Sequence, residues 1–212
     1  MRISQFGYAF SACSSSTRGI FGGGYTVPTG SRNIIDYVQI STIGNALDFG
    51  DLTAARFGVF SCSSSTRGIF GGGTPGNNKT IEFITISSTG NAVTFGNLND
   101  LKNYGSACSS STRGIIGGGD APYNMTEYIT ISSTGNSTEF GDLTIARETG
   151  SNAVSNSVRG VFGSGYGAPA YYNVIDYITI TSLGNALDFG DMSKTLTYYG
   201  ALSDSHGGLG GF

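Results

Sequence analysis

One phrase of 11 residues constrains this chain more than any other feature: S-S-S-T-R-G-I-F-G-G-G stands at 14–24 and again at 63–73. It returns as S-S-S-T-R-G-I-I-G-G-G at 109–119 and as S-N-S-V-R-G-V-F-G-S-G at 155–165. A degraded copy, S-D-S-H-G-G-L-G-G, stands at 203–211. The markers Arg18, Arg67, Arg113, Arg159 and His206 are 49, 46, 46 and 47 residues apart. A period of this length marks one supersecondary unit that buries its apolar faces only by stacking on its neighbours, and it is the period of a four-stranded propeller blade.

Each unit reads as four short strands, A to D. Strand A is rich in small residues, G-V-F-S-C-S at 58–63, and strand B is the arginine-led apolar run that glycines stop. Strand C is I-D-Y-V-Q-I at 35–40, then I-E-F-I-T-I, T-E-Y-I-T-I and I-D-Y-I-T-I; strand D is A-L-D-F at 46–49, ending in a Gly-Asp-Leu turn. Ile35 and Tyr37 lie on one face of strand C, Val38 and Ile40 on the other. A strand that is apolar on both faces belongs between stacked sheets. The chain is therefore expected to be all-β, a single propeller domain with repeats at about 7–52, 58–98, 104–143 and 150–191 and a half repeat at 198–212.

The double glycines Gly22-Gly23, Gly71-Gly72 and Gly117-Gly118 are followed by Tyr37, Phe83 and Tyr128 in strand C, Tyr177 holds that place in the fourth unit, and Gly210-Gly211 recurs in the fifth. With that pattern the unit resembles the kelch repeat, whose Trp position is filled here by Phe49, Phe95, Phe140 and Phe189. The fourth double glycine is broken to Gly163-Ser164-Gly165. The resemblance implies a kelch-like β-propeller and specifies architecture, not activity. The S-S-T-G-N and F-G-D-L phrasing also resembles repeat proteins of tailed bacteriophages, marine ones especially, which implies a virion location; the alternative is cytoplasmic. Strands C and D of the fifth unit are missing from this sequence. The preferred closure is a five-position ring whose last position holds a half blade. A ring completed by another copy and a piece of a longer array are the alternatives, and exposed strand edges make a homo-oligomer possible.

Strands in a blade alternate in direction, so the A–B and C–D turns share one end of the propeller while the B–C and D–A connections share the other. The first set is nearly invariant, S-S-S-T-R and S-S-T-G-N. The second set diverges from unit to unit, and divergent loops on a fixed scaffold are where recognition concentrates. The expected ligand-binding rim is therefore Tyr25, Arg32, Tyr104, Tyr123, Asn124, Tyr166, Tyr171, Tyr172 and Tyr198. Tyr and Asn give contact area and adaptable hydrogen bonds at low entropic cost, a set suited to sugar rings or protein surfaces. Drift at tolerant loop tips is the competing reading.

Catalytic and cofactor signatures are weak. His206 is the sole histidine, so neither a His-rich metal site nor a Ser-His-Asp arrangement is expected. Asp48/Asp51, Glu139/Asp142 and Asp188/Asp191 recur three residues apart but become Thr94/Asn97 in the second unit, which suits turn capping better than calcium. The glycine runs lack the Lys-Ser/Thr of a phosphate loop. Cys13, Cys62 and Cys108 each precede an arginine by five residues, where Val154 and Ala201 stand later, so they read as small packing residues. A net charge of −3 offers no footprint for nucleic acid or an anionic membrane, and no apolar run is long enough to span one. The N-terminus has no secretory signal pattern. No cofactor is expected. The expected function is non-catalytic: a phage virion or tail-associated protein recognising cell-surface glycan or protein. The alternatives are a structural virion component docking to other virion proteins and a kelch-type interaction adaptor.

Overall fold

The computed structural model describes residues 6–76, 78–119, 124–150, 153–201 and 203. Among them all regular structure is β. The first sheet holds β1 (Phe6–Tyr8), β2 (Ser11–Ser14), β3 (Arg18–Gly22), β4 (Tyr25–Val27), β5 (Gly30–Gln39) and β6 (Leu47–Arg56). Its blade is β2-β3-β5-β6, and β4 and β1 prolong the far end of β5. The second blade is β7 (Phe60–Ser63), β8 (Arg67–Gly71), β9 (Thr80–Thr85) and β10 (Val93–Asn97). The third is β11 (Ser106–Ser109), β12 (Arg113–Gly117), β13 (Met125–Thr130) and β14 (Thr138–Asp142). The fourth is β15 (Ala153–Ser155), β16 (Arg159–Gly167), β17 (Ala170–Thr179) and β18 (Leu187–Asp191). All neighbours in each blade are antiparallel. The architecture is a β-propeller of four four-stranded blades; the further half blade is not seen, since 202 and 204–212 lie outside the described residues.

Small residues let the innermost strands crowd together. Cys13 Sγ lies 2.9 Å from where a Cβ on Gly68 would stand, and Cys62 and Cys108 meet Gly114 and Gly160 in the same way. The glycine after each marker arginine is thus the socket for the preceding blade's thiol. Serines then tie the strands: Ser63 Oγ donates to Ser14 O, Ser109 Oγ to Ser63 O and Ser155 Oγ to Ser109 O, each at 2.8 Å.

The invariant turns have equally specific work. Ser15 Oγ accepts from the amides of Thr17 and Arg18, and Ser64, Ser110 and Asn156 repeat the turn. Asn91 Oδ1 accepts from the Asp51 amide of the preceding blade, as Asn136 does from Asn97 and Asn185 from Asp142. Arg18, Arg67 and Arg113 donate from Nη1 to the carbonyls of Ile86, Ile131 and Ile180 in the next blade, at 2.7–2.9 Å. Each guanidinium also lies 4.5–4.7 Å from the centroid of Tyr37, Phe83 or Tyr128 on its own blade.

Three apolar cores fill the spaces between successive blades. Ile20, Ile35 and Phe49 of the first meet Phe70, Ile84 and Ile86 of the second; the other two cores repeat the set one blade further on. The outward faces of the terminal blades have no such partner among the described residues. Phe49, Phe95 and Phe140 are 3–4% exposed, whereas Phe189 is 55% exposed. Ile86, Ile131 and Ile180 are at most 1% exposed, whereas Ile40 is 57% exposed. Arg159 keeps its ring contact with Tyr177 but reaches no carbonyl among the described residues. Substituting Ala for Arg67 is therefore expected to cost about 2 kcal/mol in urea unfolding, the same change at Arg159 less than about 1 kcal/mol. Equal losses would contradict a role in tying blades.

Three boundaries differ from the sequence reading. The connections after strand B in the first and fourth units are not loops: Tyr25–Val27 pairs with the start of β5, and β16 runs through Gly167 to pair with β17. Tyrosines and threonines suit a twisted ribbon as well as a loop, and only the Pro-centred tips, Pro28 and Pro169, turn the chain. Strand D is also longer in the first unit, where 53–56 belong to β6. The start of the chain is offset too: the repeat bounds at 7 and 58 equate Gly7 with Gly58, but Tyr8 faces Tyr25 as Phe57 faces Thr74, so Ala9 is the counterpart of Gly58.

Candidate functional site

The divergent connections converge as expected from strand parity. Phe57 bridges to Thr74 and Glu148 to Tyr166, so each D–A segment runs beside the B–C connection of the blade it enters. The central channel encloses about 760 Å³ and is lined by 8–12, 58–61, 150 and 198–201 together with Tyr104. At its mouth five rings touch in series. Tyr8 lies 5.3 Å from Tyr25, Tyr25 5.1 Å from Phe57, Phe57 6.2 Å from Tyr104, and Tyr104 5.4 Å from Tyr198. Backbone geometry positions this arc. Tyr104 and Tyr198 adopt φ of 54° and 57°, and their rings lie over Gly58 and Gly150, where a Cβ would come within 3.2 Å. Tyr198 Oη donates to Glu148 Oε2 at 2.6 Å.

Of the residues singled out in the sequence, Tyr25, Tyr104 and Tyr198 share this arc. Tyr166 and Tyr171 form a separate pair 4.8 Å apart on the fourth-blade hairpin, with Tyr172 against Gly167. Arg32 lines a different cavity on the first blade. Asn124 accepts the Leu143 amide through its carbonyl, at the edge of the third blade. Tyr123 lies outside the described residues. Tyr8, Phe57 and Glu148 were missed. The signal for Tyr8 and Phe57 was their shared place ten residues before Arg18 and Arg67; each precedes a left-handed residue, Ala9 at φ 57° and Gly58 at φ 65°.

Away from the mouth, the charged residues form a relay between blades. Arg56 pairs with Glu82, Lys102 with Glu127 and Arg147 with Asp176, and every member is buried. In each pair the cation lies four residues after a buried leucine, Leu52, Leu98 or Leu143, and the acid lies in strand C of the next blade. Burial pushes the Arg56 guanidinium down to about 10. Burial also lowers Lys102, against the opposing pull of Glu127, Asp100 and Asp142. Each acid also accepts from a neighbour besides its cation: Thr53 N binds Glu82, Asn99 N binds Glu127, and Thr144 Oγ1 binds Asp176. The pairs thereby tie each blade to the next.

The three thiols are free, and burial raises all of them, Cys62 to about 12, so they are poor nucleophiles and poor metal ligands at neutral pH. Among the described residues no group of three or more His, Cys, Asp or Glu is placed to hold a metal ion. Asp188 caps its own turn, accepting from the Gly190 amide. Among the described residues no helix is long and apolar enough to cross a membrane. The fold and this mouth define a β-propeller with an aromatic rim. Its sequence matches no protein-family model and no curated protein.

Proposed function

We propose that the chain is a non-catalytic binding propeller that recognises a cell-surface glycan or protein at the mouth of its channel. The arc of Tyr8, Tyr25, Phe57, Tyr104 and Tyr198 carries this reading, because it gathers five rings on the end where the repeats diverge. Flat rings with hydroxyl tips offer apolar area and hydrogen bonds together, which suits a pyranose face or an aliphatic side chain. The blades are kelch-like in their double glycines. We place the protein in the virion on the resemblance of its repeat phrasing alone. A five-position ring is supported by the recurrence of one left-handed backbone at Ala9, Gly58, Tyr104, Gly150 and Tyr198, φ 54–65°. The uncovered faces of the first and fourth blades favour a second reading, a structural virion component that docks through that side.

Glycan-array binding by the wild type and by a variant carrying Tyr25→Ser, Tyr104→Asn and Tyr198→Asn tests the first reading. Asn tolerates left-handed backbone, so it removes the rings at the least cost in folding. Binding is expected to weaken roughly tenfold for each ring lost. Unchanged binding by the variant, or none by the folded wild type, would move the assignment to the structural reading.

A further inference from the structure

The relay of cations and acids stops at the first blade. Asp36 stands in strand C where Glu82, Glu127 and Asp176 stand in the others, and it faces Asp48 across the sheet just as Glu82 faces Thr94. Yet no described residue makes a hydrogen bond or ion pair with its carboxylate. The segment entering the first blade has Gly7 beside Tyr8, where the segment entering the second has Arg56 beside Phe57. Beside Asp36 lies a cavity of about 370 Å³ walled by Tyr8, Phe10, Phe21, Tyr25 and Ile34. Arg32 shares the cavity but makes no ion pair with Asp36. On the same face, Ile40 is exposed, and Gly44 and Asn45 occupy the places from which Gly90 N, Asn91 Oδ1 and their counterparts bind strand D of a preceding blade.

We infer that this face is a docking site for a strand of another polypeptide that carries an arginine or lysine, which enters the cavity and pairs with Asp36. The three internal interfaces supply the template: an apolar strand end whose phenylalanine is buried, a Leu that follows it, and a cation four residues beyond that Leu. A second copy of this chain has no free cation at that place among its described residues, since the exposed Lys194 stands only two residues beyond Met192, which holds the leucine's place. Arg56, Lys102 and Arg147 are committed to Glu82, Glu127 and Asp176. The fourth segment carries Leu196 at that place, bound through its amide and carbonyl to Ser164. The partner is therefore a different polypeptide with a basic, apolar strand. The inference rests on blade geometry and not on the glycan reading, so the two fail separately.

The probe is a synthetic peptide with the sequence of residues 47–56, Leu-Asp-Phe-Gly-Asp-Leu-Thr-Ala-Ala-Arg, the segment that seats against Glu82 inside the molecule. Fluorescence anisotropy is expected to give a saturable Kd with the full-length protein. Asp36→Asn in the protein, or Gln in place of the peptide's arginine, is expected to weaken binding at least about tenfold. Asp36 has no partner to lose among the described residues, so Asp36→Asn should unfold at the wild-type denaturant midpoint. A charge swap guards the result: Asp36→Arg should bind the peptide ending in Glu better than the peptide ending in Arg. No binding at millimolar peptide, or binding indifferent to all three changes, would overturn the inference. Self-association of the protein that Asp36→Asn abolishes would overturn the choice of a different polypeptide.

Discussion

Replacing Arg147 by Ala is expected to destabilise the protein by about 3–5 kcal/mol, the cost of leaving a buried charge without its partner. The guanidinium holds more than Asp176 Oδ2 at 2.8 Å. Its Nε donates to Ser164 O at 2.8 Å, its Nη2 to Phe162 O at 3.3 Å and its Nη1 to Ile145 O at 3.1 Å. Removing it strands an ionised carboxylate and three carbonyls, all at the seam where the third blade hands over to the fourth. The pair itself is a different matter. Two charges taken out of water repay little of their desolvation, so Met at 147 together with Leu at 176 is expected to recover most of the loss. Urea unfolding of the two single variants and the double variant, followed by circular dichroism, measures both statements. A single variant that loses less than about 1 kcal/mol would mean that water reaches Asp176 and that the seam is not dry.

Gly72→Ala is expected to cost at least about 3 kcal/mol, from left-handed backbone and overpacking together. Gly72 has φ 64°, and a Cβ there would stand 2.1 Å from the Lys102 carbonyl oxygen, which is backbone and cannot turn aside. The outgoing segment of each blade passes over the second glycine of its own double glycine: Arg56 O over Gly23, Lys102 O over Gly72, and Arg147 O and Thr149 over Gly118. The next glycine donates to the same carbonyl, Gly24 N to Arg56 O and Gly73 N to Lys102 O. Position 164 shows what a side chain does there. Ser164 keeps φ 52°, and its hydroxyl reaches the Leu196 and Tyr172 carbonyls, so the segment sits on the side chain instead of the backbone. Gly72→Ala therefore has a steeper cost than its size suggests, read as a shift of the denaturant midpoint at unchanged slope. A midpoint within error of wild type would mean that the Lys102 strand moves freely away.

The blades were legible because their signals are local and repeated. Glycine stops, a strand apolar on both faces and a turn phrase written four times leave few other folds. The rim was legible only in part. Divergence pointed to the end of the propeller where the aromatic arc lies, but it weighted Tyr166, Tyr171 and Tyr172 alongside Tyr25, Tyr104 and Tyr198, and only contact geometry separates a hairpin tip from a channel mouth. Tyr8 was lost to an offset of two residues: taking Gly7 as the counterpart of Gly58 hides that Tyr8 and Phe57 each stand ten residues before a marker arginine. The relay was hidden for another reason. Arg56, Lys102 and Arg147 sit in the divergent connections, which drew attention as surface, while their acids sit in strand C, which read as rhythm. Pairing them requires knowing which blade lies next to which.

Because cation and acid always belong to different repeats, no single unit of this chain is electrically whole. A unit cut free would carry an acid in need of a donor and a donor in need of an acid. Growth by duplication escapes the difficulty, since each inserted unit answers its predecessor and leaves the same question for its successor. Deletion of a whole unit is equally silent, and a cut within one is not. Among the described residues the bookkeeping balances except at the fourth unit, which carries Leu196 at the cation's place, and the first, which carries Asp36.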